Sequence, residues 1–364
     1  MKQHCTLVRQ GFSPGCCTVH GEKESGPACK LTYRRVDGVP YRRIVAADLS
    51  RPEHYLSVYQ SGCTMDCAKC HSWRFSQQVD GKWYSPEDIL QEARFYNAAV
   101  TVREPRERAT AYHAGDLCRS CGTCVEIHWI PFDPAHSFRE GIYLEPTGRR
   151  GSLCPQRLQP DQLTMSPQGI GPARNIVAFT GGDLACRPDF PARCAEKIKT
   201  ANLPLWILYE TNGYGLTPAH LDLLRRAGID SFWLDIKAFD GDVHRRLTGV
   251  DNDWILRLPE EIRRRDFVLE VLSLYIPGWV EEGQLARIAR QVAAVDPEIP
   301  FTVLAFFPAH RLKDVPAPTL DQMLAAHDAV TAAGLRQVRL GNLGVFVRSD
   351  ADYDRLLARA ARVV

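Results

Sequence analysis

The chain has 364 residues, of which 45% are hydrophobic and 24% charged, and its formal net charge is +2. This is an ordinary globular composition, with enough length for one large domain with insertions or for two ordinary domains. A charge so close to neutral gives no electrostatic argument for binding nucleic acid or a membrane surface. The sequence contains neither an apolar run long enough to span a bilayer nor a signal-peptide core, so we expect a cytoplasmic protein.

Thirteen cysteines are many for a chain of this length. Because a reducing cytoplasm disfavours disulfides, clustered cysteines indicate metal or redox chemistry. Three groups and two separate residues are present: Cys5, Cys16, Cys17 and Cys29; Cys63, Cys67 and Cys70; Cys118, Cys121, Cys124 and Cys154; and, standing apart, Cys186 and Cys194.

The first third of the chain has few regular signals. Residues up to about 45 are expected to be irregular, and a strand over residues 54–59 leads into the second cysteine group. Ser85 and Pro86 are typical of a helix start, and that helix is predicted to continue to about residue 96. Residues from about 105 to 172 are rich in glycine, proline and cysteine, which indicates an inserted, metal-bound segment.

From residue 175 onward, short apolar stretches alternate with amphipathic ones. Strands are predicted at 175–179, 205–209, 231–235, 267–275, 301–306 and 337–340, with helices from 190 and at 217–228, 259–265, 281–295 and 319–333. This alternation predicts parallel βαβ units, about six or seven in all, and favours an open, partial β/α barrel over a closed eight-fold one. We predict four parts: 1–45, a cysteine-containing segment; 46–104 with 175–345, the partial barrel; 105–174, the insertion; and 346–364, a C-terminal helix.

Polar residues follow several predicted strands at the point where each strand ends. They are Gly181, Gly182 and Asp183; Glu210 and Asn212; Asp235 and Lys237; His310; and the cysteines that begin at Cys63. Because the carboxyl ends of parallel strands meet at one edge of a sheet, we expect these residues to lie on one rim.

Cys63, Cys67 and Cys70 have the spacing C-x3-C-x2-C, which supplies three thiolates in a short loop. Structural zinc prefers four closed ligands, and His71 could complete such a site only with an awkward reach. A 4Fe–4S cube held by three cysteines leaves one iron open to another ligand. The spacing therefore favours a cluster with an open iron, with zinc as the alternative.

This C-x3-C-x2-C motif after a first strand resembles that of the radical S-adenosylmethionine (SAM) enzymes. The resemblance implies a partial barrel of the radical SAM type. It also implies that SAM chelates the open iron through its amino and carboxylate groups. Reductive cleavage of SAM would then give methionine and a 5′-deoxyadenosyl radical, which abstracts hydrogen from a substrate.

Further motifs resemble those of glycyl-radical-enzyme activating enzymes, such as pyruvate formate-lyase activase, and their uncharacterised relatives. The motifs are TGGD at 180–183, ETNGYG at 210–215, WLDIK at 233–237, HRRLTG at 244–249 and IPGW at 276–279.

The resemblance assigns the predicted strand-end residues to SAM. Gly181, Gly182 and Asp183 correspond to a motif that binds the SAM amino group, although Asp183 stands where glutamate is usual. Glu210 is assigned to the SAM ribose, and Asn212 lies in the same cofactor-binding motif. Asp235 and Lys237 would lie near SAM or a peptide substrate, and His310 near the adenosine. The alternatives are a plain glycine turn, a structural Asp–Lys pair and a surface histidine.

Cys118, Cys121, Cys124 and Cys154, the last followed by proline, resemble half of a bacterial ferredoxin motif. The resemblance implies a ferredoxin-like insertion with a second 4Fe–4S cluster, for electron relay or for docking a reductant or partner. A closed zinc site is the alternative, since four thiolates satisfy either metal. The cysteines near the start could hold zinc or a third cluster, or be ordinary thiols, and Cys186 and Cys194 are predicted to be core or surface residues.

The resemblance to activating enzymes implies abstraction of a glycine hydrogen on a glycyl-radical enzyme partner, with flavodoxin or a ferredoxin-type protein as reductant. One alternative is radical modification of a small molecule or peptide, because the motifs define SAM cleavage better than the hydrogen donor. Another is a non-catalytic iron–sulfur electron carrier. The polar motifs at strand ends argue against the carrier, which has no need of them.

Overall fold

A computed structural model of the chain describes residues 5–130, 141–151 and 154–360. The strands in these ranges are β1 (Thr18–His20), β2 (Ser25–Pro27), β3 (Tyr33–Val36), β4 (Val39–Leu49), β5 (Leu56–Gln60), β6 (Lys82–Tyr84), β7 (Val125–Ile130), β8 (Gly141–Pro146), β9 (Thr164–Ser166), β10 (Gly169–Gly171), β11 (Ile176–Gly181), β12 (Trp206–Thr211), β13 (Ser231–Asp235), β14 (Val268–Tyr275), β15 (Phe301–Ala305) and β16 (Val338–Gly341).

The helices in the same ranges are α1 (Thr6–Arg9), α2 (Ala28–Leu31), α3 (Trp73–Ser76), α4 (Pro86–Ala99), α5 (Asp189–Thr200), α6 (Pro218–Ala227), α7 (Gly241–Thr248), α8 (Leu258–Arg263), α9 (Glu282–Val295), α10 (Leu320–Ala332) and α11 (Asp350–Arg359). Two helices begin with a capping box. The side chains of Ser85 at α4 and Thr217 at α6 accept from the backbone N–H of the third helical residue, and the side chain of that residue accepts from the backbone N–H of the capping residue.

One sheet organises the described residues. Its order is β16-β15-β14-β13-β12-β11-β5-β4-β3, with β6 also paired to β4. All strands from β5 to β16 in this order are parallel, whereas β3, β4 and β6 join the sheet in antiparallel pairs. The predicted alternation is thus confirmed as a mixed α/β fold with a parallel sheet, and the carboxyl ends of the parallel strands lie along one edge.

The expectation that the first 45 residues are irregular is wrong for β3 and β4. These strands form a hairpin that extends the sheet beside β5. In β4 the buried positions include Arg42 and Ile44, with the half-buried Arg43 between them. An arginine at a buried position hides the period-two apolar pattern by which a strand is recognised.

A buried polar network closes the amino end of the sheet. The Arg339 guanidinium donates to the backbone carbonyls of Ala111 and Tyr112, at 2.9 and 2.6 Å, and lies 3.2 Å from the Glu270 carboxylate. Glu270 also accepts from the Tyr112 N–H at 2.8 Å and from the Thr302 hydroxyl at 2.6 Å. The segment after residue 105 is therefore fixed against the amino ends of the strands, and the open edge of the sheet is the carboxyl edge.

None of the helices described is both long enough and apolar enough to cross a membrane.

Candidate active site at the carboxyl ends of the strands

A cavity of about 330 Å³ lies at the carboxyl ends of the parallel strands. We call it the strand-end cavity. Nine of the predicted site residues are among those that line it: Cys63, Cys67, Cys70, Gly181, Asp183, Glu210, Asn212, Asp235 and Lys237. Residues far apart in sequence are thus brought around one space by the parallel topology, as the strand-end rule leads one to expect.

The loop of residues 63–70, here called the cysteine loop, is held by the carboxyl end of α7. The N–H groups of Asp66 and Ala68 donate to the carbonyls of Thr248 and Leu247, at 3.0 and 2.8 Å. Gly249 ends α7 in the left-handed conformation, with φ at 84°. These carbonyls are the acceptors that a helix end leaves free, so the HRRLTG motif serves here to anchor the cysteine loop.

The three cysteines of the loop are sheltered. Burial raises the pKa of Cys63 to about 12 and that of Cys67 to about 11. The Asn212 side-chain amide lies 3.5 Å from the Cys63 sulfur, within reach of a weak hydrogen bond. Thiols with such pKa values stay protonated unless a metal replaces the proton, so these sulfurs suit a metal ligand better than a free nucleophile.

Single-ion geometry is absent from the part of the chain that the structure describes. No group of three or more His, Cys, Asp or Glu side chains there is arranged to hold one metal ion. A 4Fe–4S cube holds its thiolates further apart than a single zinc does, because each thiolate binds a different iron. Cys63, Cys67 and Cys70 line one cavity, as the ligands of a shared cluster must.

Asp183 is held by hydrogen bonds from neighbouring residues of the chain. Its carboxylate accepts hydrogen bonds from the Tyr209 hydroxyl at 2.9 Å, the Thr211 hydroxyl at 2.7 Å and the Asn212 N–H at 2.9 Å. Its backbone carbonyl accepts from the Thr64 N–H at 2.8 Å. Burial raises the pKa of Asp183, although these donors oppose the shift. Asp183 thus ties the end of β12 to the cysteine loop, and its assignment to the SAM amino group stays a prediction.

Arg42 is a site residue that sequence reasoning missed. Its buried guanidinium donates to the carbonyls of Thr32, Gly62 and Gly182, at 3.0, 2.9 and 3.2 Å. Burial lowers its pKa to about 10, and the negative charge of Asp183 acts in the opposite direction. Arg42 therefore fixes the residue before Cys63 against the glycine turn. No local pattern could have shown this, because its partners lie 10, 20 and 140 residues away along the chain.

Glu210 is the most perturbed carboxyl group of the cavity. It accepts from the Tyr55 hydroxyl at 2.8 Å and the Thr180 hydroxyl at 2.5 Å. Burial raises its pKa to about 8, and the nearby Glu53 adds to the shift. A carboxyl group that is partly protonated near neutral pH can both donate to and accept from a hydroxyl of a bound ligand.

A buried charge cluster also lines the cavity. Lys237 contacts the Asp235 carboxylate. Burial raises the pKa of Asp235, but Lys237 and Lys69 outweigh it, so the pKa lies below its ordinary value. Burial, together with repulsion from Lys237, lowers the pKa of Lys69 to about 8. Lys69 stands between Cys67 and Cys70 and was not predicted, because only the cysteines of that motif were considered.

Two buried polar atoms near this cluster are unsatisfied within the described residues. They are the second oxygen of Asp235 and the indole nitrogen of Trp233. Both residues line the strand-end cavity. A buried donor and a buried acceptor without partners are costly, and such groups are typical of a site that binds a polar ligand.

Two of the residues predicted to bind SAM are not among those that line the cavity. Gly182 contributes its backbone, because its N–H donates to the Gln60 carbonyl at 2.7 Å and its carbonyl accepts from Arg42. His310 stacks on Trp73, with ring centroids 5.2 Å apart. The structure thus keeps Gly182 beneath the site and places His310 beside it.

The cysteines of the predicted insertion lie near one another. Cys118 and Cys124 pack against the same apolar cluster as Val125. Burial raises the pKa of Cys118, and the charges of Cys124 and Cys121 raise it further. A Cβ atom at Gly151 would lie 2.8 Å from the Cys121 sulfur, so the segment that leads to Cys154 passes beside this group.

Comparison with known proteins finds a family model that matches part of the chain. Residues 167–289 match the model of the radical SAM superfamily. The match covers about a third of the chain. The three-cysteine loop at the end of β5 lies outside it and is similar to the motif of radical SAM superfamily proteins. Such proteins carry a 4Fe–4S cluster and SAM, and the sheltered thiols and unsatisfied polar atoms of the strand-end cavity fit that pair.

Within this superfamily the chain resembles glycyl-radical enzyme activating enzymes. A protein of that name from Methanocaldococcus jannaschii is 26% identical over 127 residues, which cover 34% of this chain and 48% of the relative. The 4-hydroxyphenylacetate decarboxylase activating enzyme of Clostridium scatologenes is 32% identical over 91 residues, or 25% of this chain and 28% of the relative. The matches thus span half or less of these relatives' lengths.

Among solved structures, a domain of pyruvate-formate lyase-activating enzyme from Bacteroides vulgatus aligns with 20% identity and a TM-score of 0.39. The alignment covers 46% of this chain and 98% of that domain.

Proposed function

We propose that this radical SAM protein cleaves SAM reductively at a 4Fe–4S cluster held by Cys63, Cys67 and Cys70, and that it uses the resulting radical on a protein substrate. The observation that carries the proposal is that these three thiols and the polar strand-end residues line one cavity. When bound, the cluster and SAM supply one electron and a carbon-centred radical that removes a hydrogen atom from the substrate.

The residues of the cavity have separate roles in this proposal. Glu210, with its raised pKa, binds the ribose hydroxyls of SAM. Asn212 lies between Glu210 and the sulfur of Cys63. The unpaired oxygen of Asp235 and the indole of Trp233 offer an acceptor and a donor to SAM or to the substrate. Asp183 and Arg42 hold the surrounding loops in position.

The finer features of the fold belong to the same proposal. The parallel order from β5 to β16 supports a partial barrel that is open on one side. The grouping of Cys118, Cys121 and Cys124 supports a ferredoxin-like insertion that holds a second 4Fe–4S cluster with Cys154.

The similarity to activating enzymes supports a glycine of a glycyl-radical enzyme as the hydrogen donor. A flavodoxin or a ferredoxin-type protein would supply the electron. The buried Lys237–Asp235 pair lies at the cavity wall, where it can orient the backbone of an entering peptide.

Anaerobic reconstitution of the protein with iron and sulfide, followed by SAM and dithionite, tests SAM cleavage. We expect 5′-deoxyadenosine from the wild type and none from Cys67→Ala. Cys194→Ala is the matched control, since Cys194 is buried in α5 and does not line the cavity. If Cys67→Ala releases 5′-deoxyadenosine at the wild-type rate, the assignment of the site is wrong.

A second assay tests the hydrogen donor. The reconstituted protein is mixed with a glycyl-radical enzyme from the same organism, and electron paramagnetic resonance should show an oxygen-sensitive glycyl doublet. The doublet should be lost when the acceptor glycine is replaced by alanine. SAM cleavage without a doublet, coupled instead to change in a small molecule, would contradict the glycyl target while leaving the radical SAM assignment intact.

A further inference from the structure

The cysteines near the start of the chain are brought together by a small hairpin. Cys17 immediately precedes β1, and Cys29 lies in α2 just after β2. The Ala28 N–H donates to the Cys17 carbonyl at 2.7 Å, which places the two segments side by side. Cys17 and Cys29 also pack against one apolar cluster, which includes Leu184.

Cys186 lies close to the same apolar cluster but belongs to a distant part of the chain. It lies two residues after Leu184, in the turn that follows β11. A Cβ atom at Gly215 would meet the Leu7 side chain at 2.5 Å and the Cys186 Cβ at 2.8 Å, so α1 lies against Cys186. Cys5 is the residue immediately before α1 and packs against the core beside it.

The charges of these thiols act on one another. Burial raises the pKa of Cys17, and the thiolates of Cys29 and Cys5 raise it further. Burial also raises the pKa of Cys186, with added contributions from Cys29 and Cys17. All four cysteines are free of disulfides and at least partly sheltered from solvent. Each is therefore within electrostatic range of at least one other, as ligands of one metal centre must be.

We propose that Cys5, Cys17, Cys29 and Cys186, here called the N-terminal cysteine set, hold a 4Fe–4S cluster of their own. Four thiolates from separate segments cap all four irons of a cube, so this cluster has no open iron and does not bind SAM. Thiolates bind zinc as well as iron–sulfur clusters, and the contents of iron, sulfide and zinc per chain distinguish the two. The proposal does not rest on the proposed function.

The position of the set connects it to the strand-end cavity. Cys186 and Cys63 are both close enough to Arg42 for their charges to act on its guanidinium. Arg42 bonds to the carbonyls of Gly62 and Gly182, so it lies between the cysteine loop and the turn that carries Cys186. A cluster at this position would share a buried cation with the SAM-binding one and could exchange electrons with it.

The neighbouring Cys16 provides a matched control. Its sulfur donates to the Gly249 carbonyl at 3.3 Å, and the charges that act on it come from Asp66 and Arg311. Cys16 thus faces the outside of the cysteine loop, whereas Cys17, the next residue, faces Cys29. Replacing either sulfur by oxygen is the same chemical change, but only one of the two removes a ligand of the proposed cluster.

Iron and sulfide are counted per chain after anaerobic reconstitution of the full-length protein. Compared with wild type, Cys17→Ser and Cys186→Ser should each lose about four irons and about four sulfides, as one cube contains, and Cys16→Ser should lose none. The loss should also occur in a Cys67→Ala background, which separates this site from the SAM-binding one. Unchanged iron in both variants, or zinc bound in place of iron, would overturn the proposal.

A second measurement needs no substitution. Wild-type protein is alkylated before and after reconstitution, and the modified cysteines are mapped by mass spectrometry. Cys5, Cys17 and Cys29, which are partly exposed, should react in the metal-free protein and be protected once iron and sulfide are bound, whereas the exposed Cys16 should react in both. Equal labelling of Cys5, Cys17 and Cys29 before and after reconstitution would contradict the cluster even if a variant failed to fold.

Discussion

Glu210 gives the cavity a titratable group in the neutral pH range. In an unfolded chain a glutamate has a pKa near 4.5, whereas burial raises that of Glu210 to about 8. Between these pH values the unfolded chain binds fewer protons than the folded one. Rising pH therefore lowers the free energy of unfolding across this window, and the loss is complete above about pH 8.

Glu210→Gln should remove this pH dependence, because a neutral amide resembles the protonated carboxyl group. We expect the metal-free wild type to lose stability relative to the variant between pH 5.5 and about 8.5, by a few kcal/mol in total. Urea denaturation at several pH values measures the difference. Glu22→Gln, at an exposed position, should change nothing with pH. Parallel pH profiles for wild type and Glu210→Gln would show that the raised pKa is wrong.

Arg42 influences the cysteine loop through the backbone carbonyls to which it donates. One guanidinium nitrogen of Arg42 donates to the carbonyls of Gly62 and Gly182 and the other to that of Thr32. A lysine keeps the charge but has a single nitrogen and no planar fork, so it cannot bond both sides together. Arg42→Lys should lower the free energy of unfolding by roughly 3 kcal/mol, as expected for lost hydrogen bonds to a buried charged group. It should also raise the KM for SAM more than it lowers kcat, because the cysteine loop is displaced. Arg34→Lys, on the exposed side of the same hairpin, is the control.

An unchanged KM for SAM in Arg42→Lys would mean that Arg42 only stabilises the fold. The residue also shows where sequence reasoning stops. Cys63, Glu210 and Asp235 could be predicted, because each follows a recognisable strand or stands in a dense motif. Arg42 could not, since nothing near it along the chain distinguishes it from Arg43, and only the register of β4 buries one and leaves the other half-buried.

At the scale of elements, α7 is a support for the cysteine loop. The motif at 244–249 was noted for its resemblance to activating enzymes, but the helix itself was not predicted. It has only eight residues, and few of them are apolar, so it lacks the apolar run by which the other elements were recognised. The strands from β11 to β16 were predicted well because each is a short apolar run between turn signals. The strands of the sheet could thus be predicted from the sequence, whereas α7, which anchors the cysteine loop, could not.

Gly249→Ala should disturb the cysteine loop through the end of α7. Gly249 has a left-handed backbone, which costs alanine about 1 kcal/mol or more. An added Cβ would also lie 2.4 Å from the Cys16 sulfur and 2.8 Å from its Cβ. We expect lower stability and less 5′-deoxyadenosine, because the carbonyls of Leu247 and Thr248 move. Thermal unfolding and the SAM cleavage assay measure the two effects.

The double variant Gly249→Ala with Cys16→Gly separates the two causes. Removing the Cys16 side chain relieves the contact but not the backbone cost, so stability should recover in part. Cys16→Gly alone provides the reference for a double-mutant cycle. If the two changes prove additive, the contact between residues 16 and 249 has no influence on α7.

At the scale of the whole molecule, the two predicted cysteine clusters lie at opposite edges of the sheet. Cys63 follows the carboxyl end of β5, whereas His54, which precedes β5, lies 3.3 Å from the Cys118 carbonyl. A five-residue strand spans about 17 Å at roughly 3.3 Å per residue. The length of β5 therefore separates the two cysteine sites, and neither supplies ligands to the other.

Cys121→Ala should accordingly remove the second cluster without affecting the first. The exposed position of Cys121 beside Gly151 makes the change mild for folding, because no core contact is lost. We expect about four fewer irons per chain, with unchanged release of 5′-deoxyadenosine when dithionite supplies the electron. A protein reductant should be affected more than dithionite, since dithionite can reach the SAM-binding cluster directly. Loss of SAM cleavage with dithionite would mean that the SAM-binding cluster depends on the second cluster, although β5 separates the two sites.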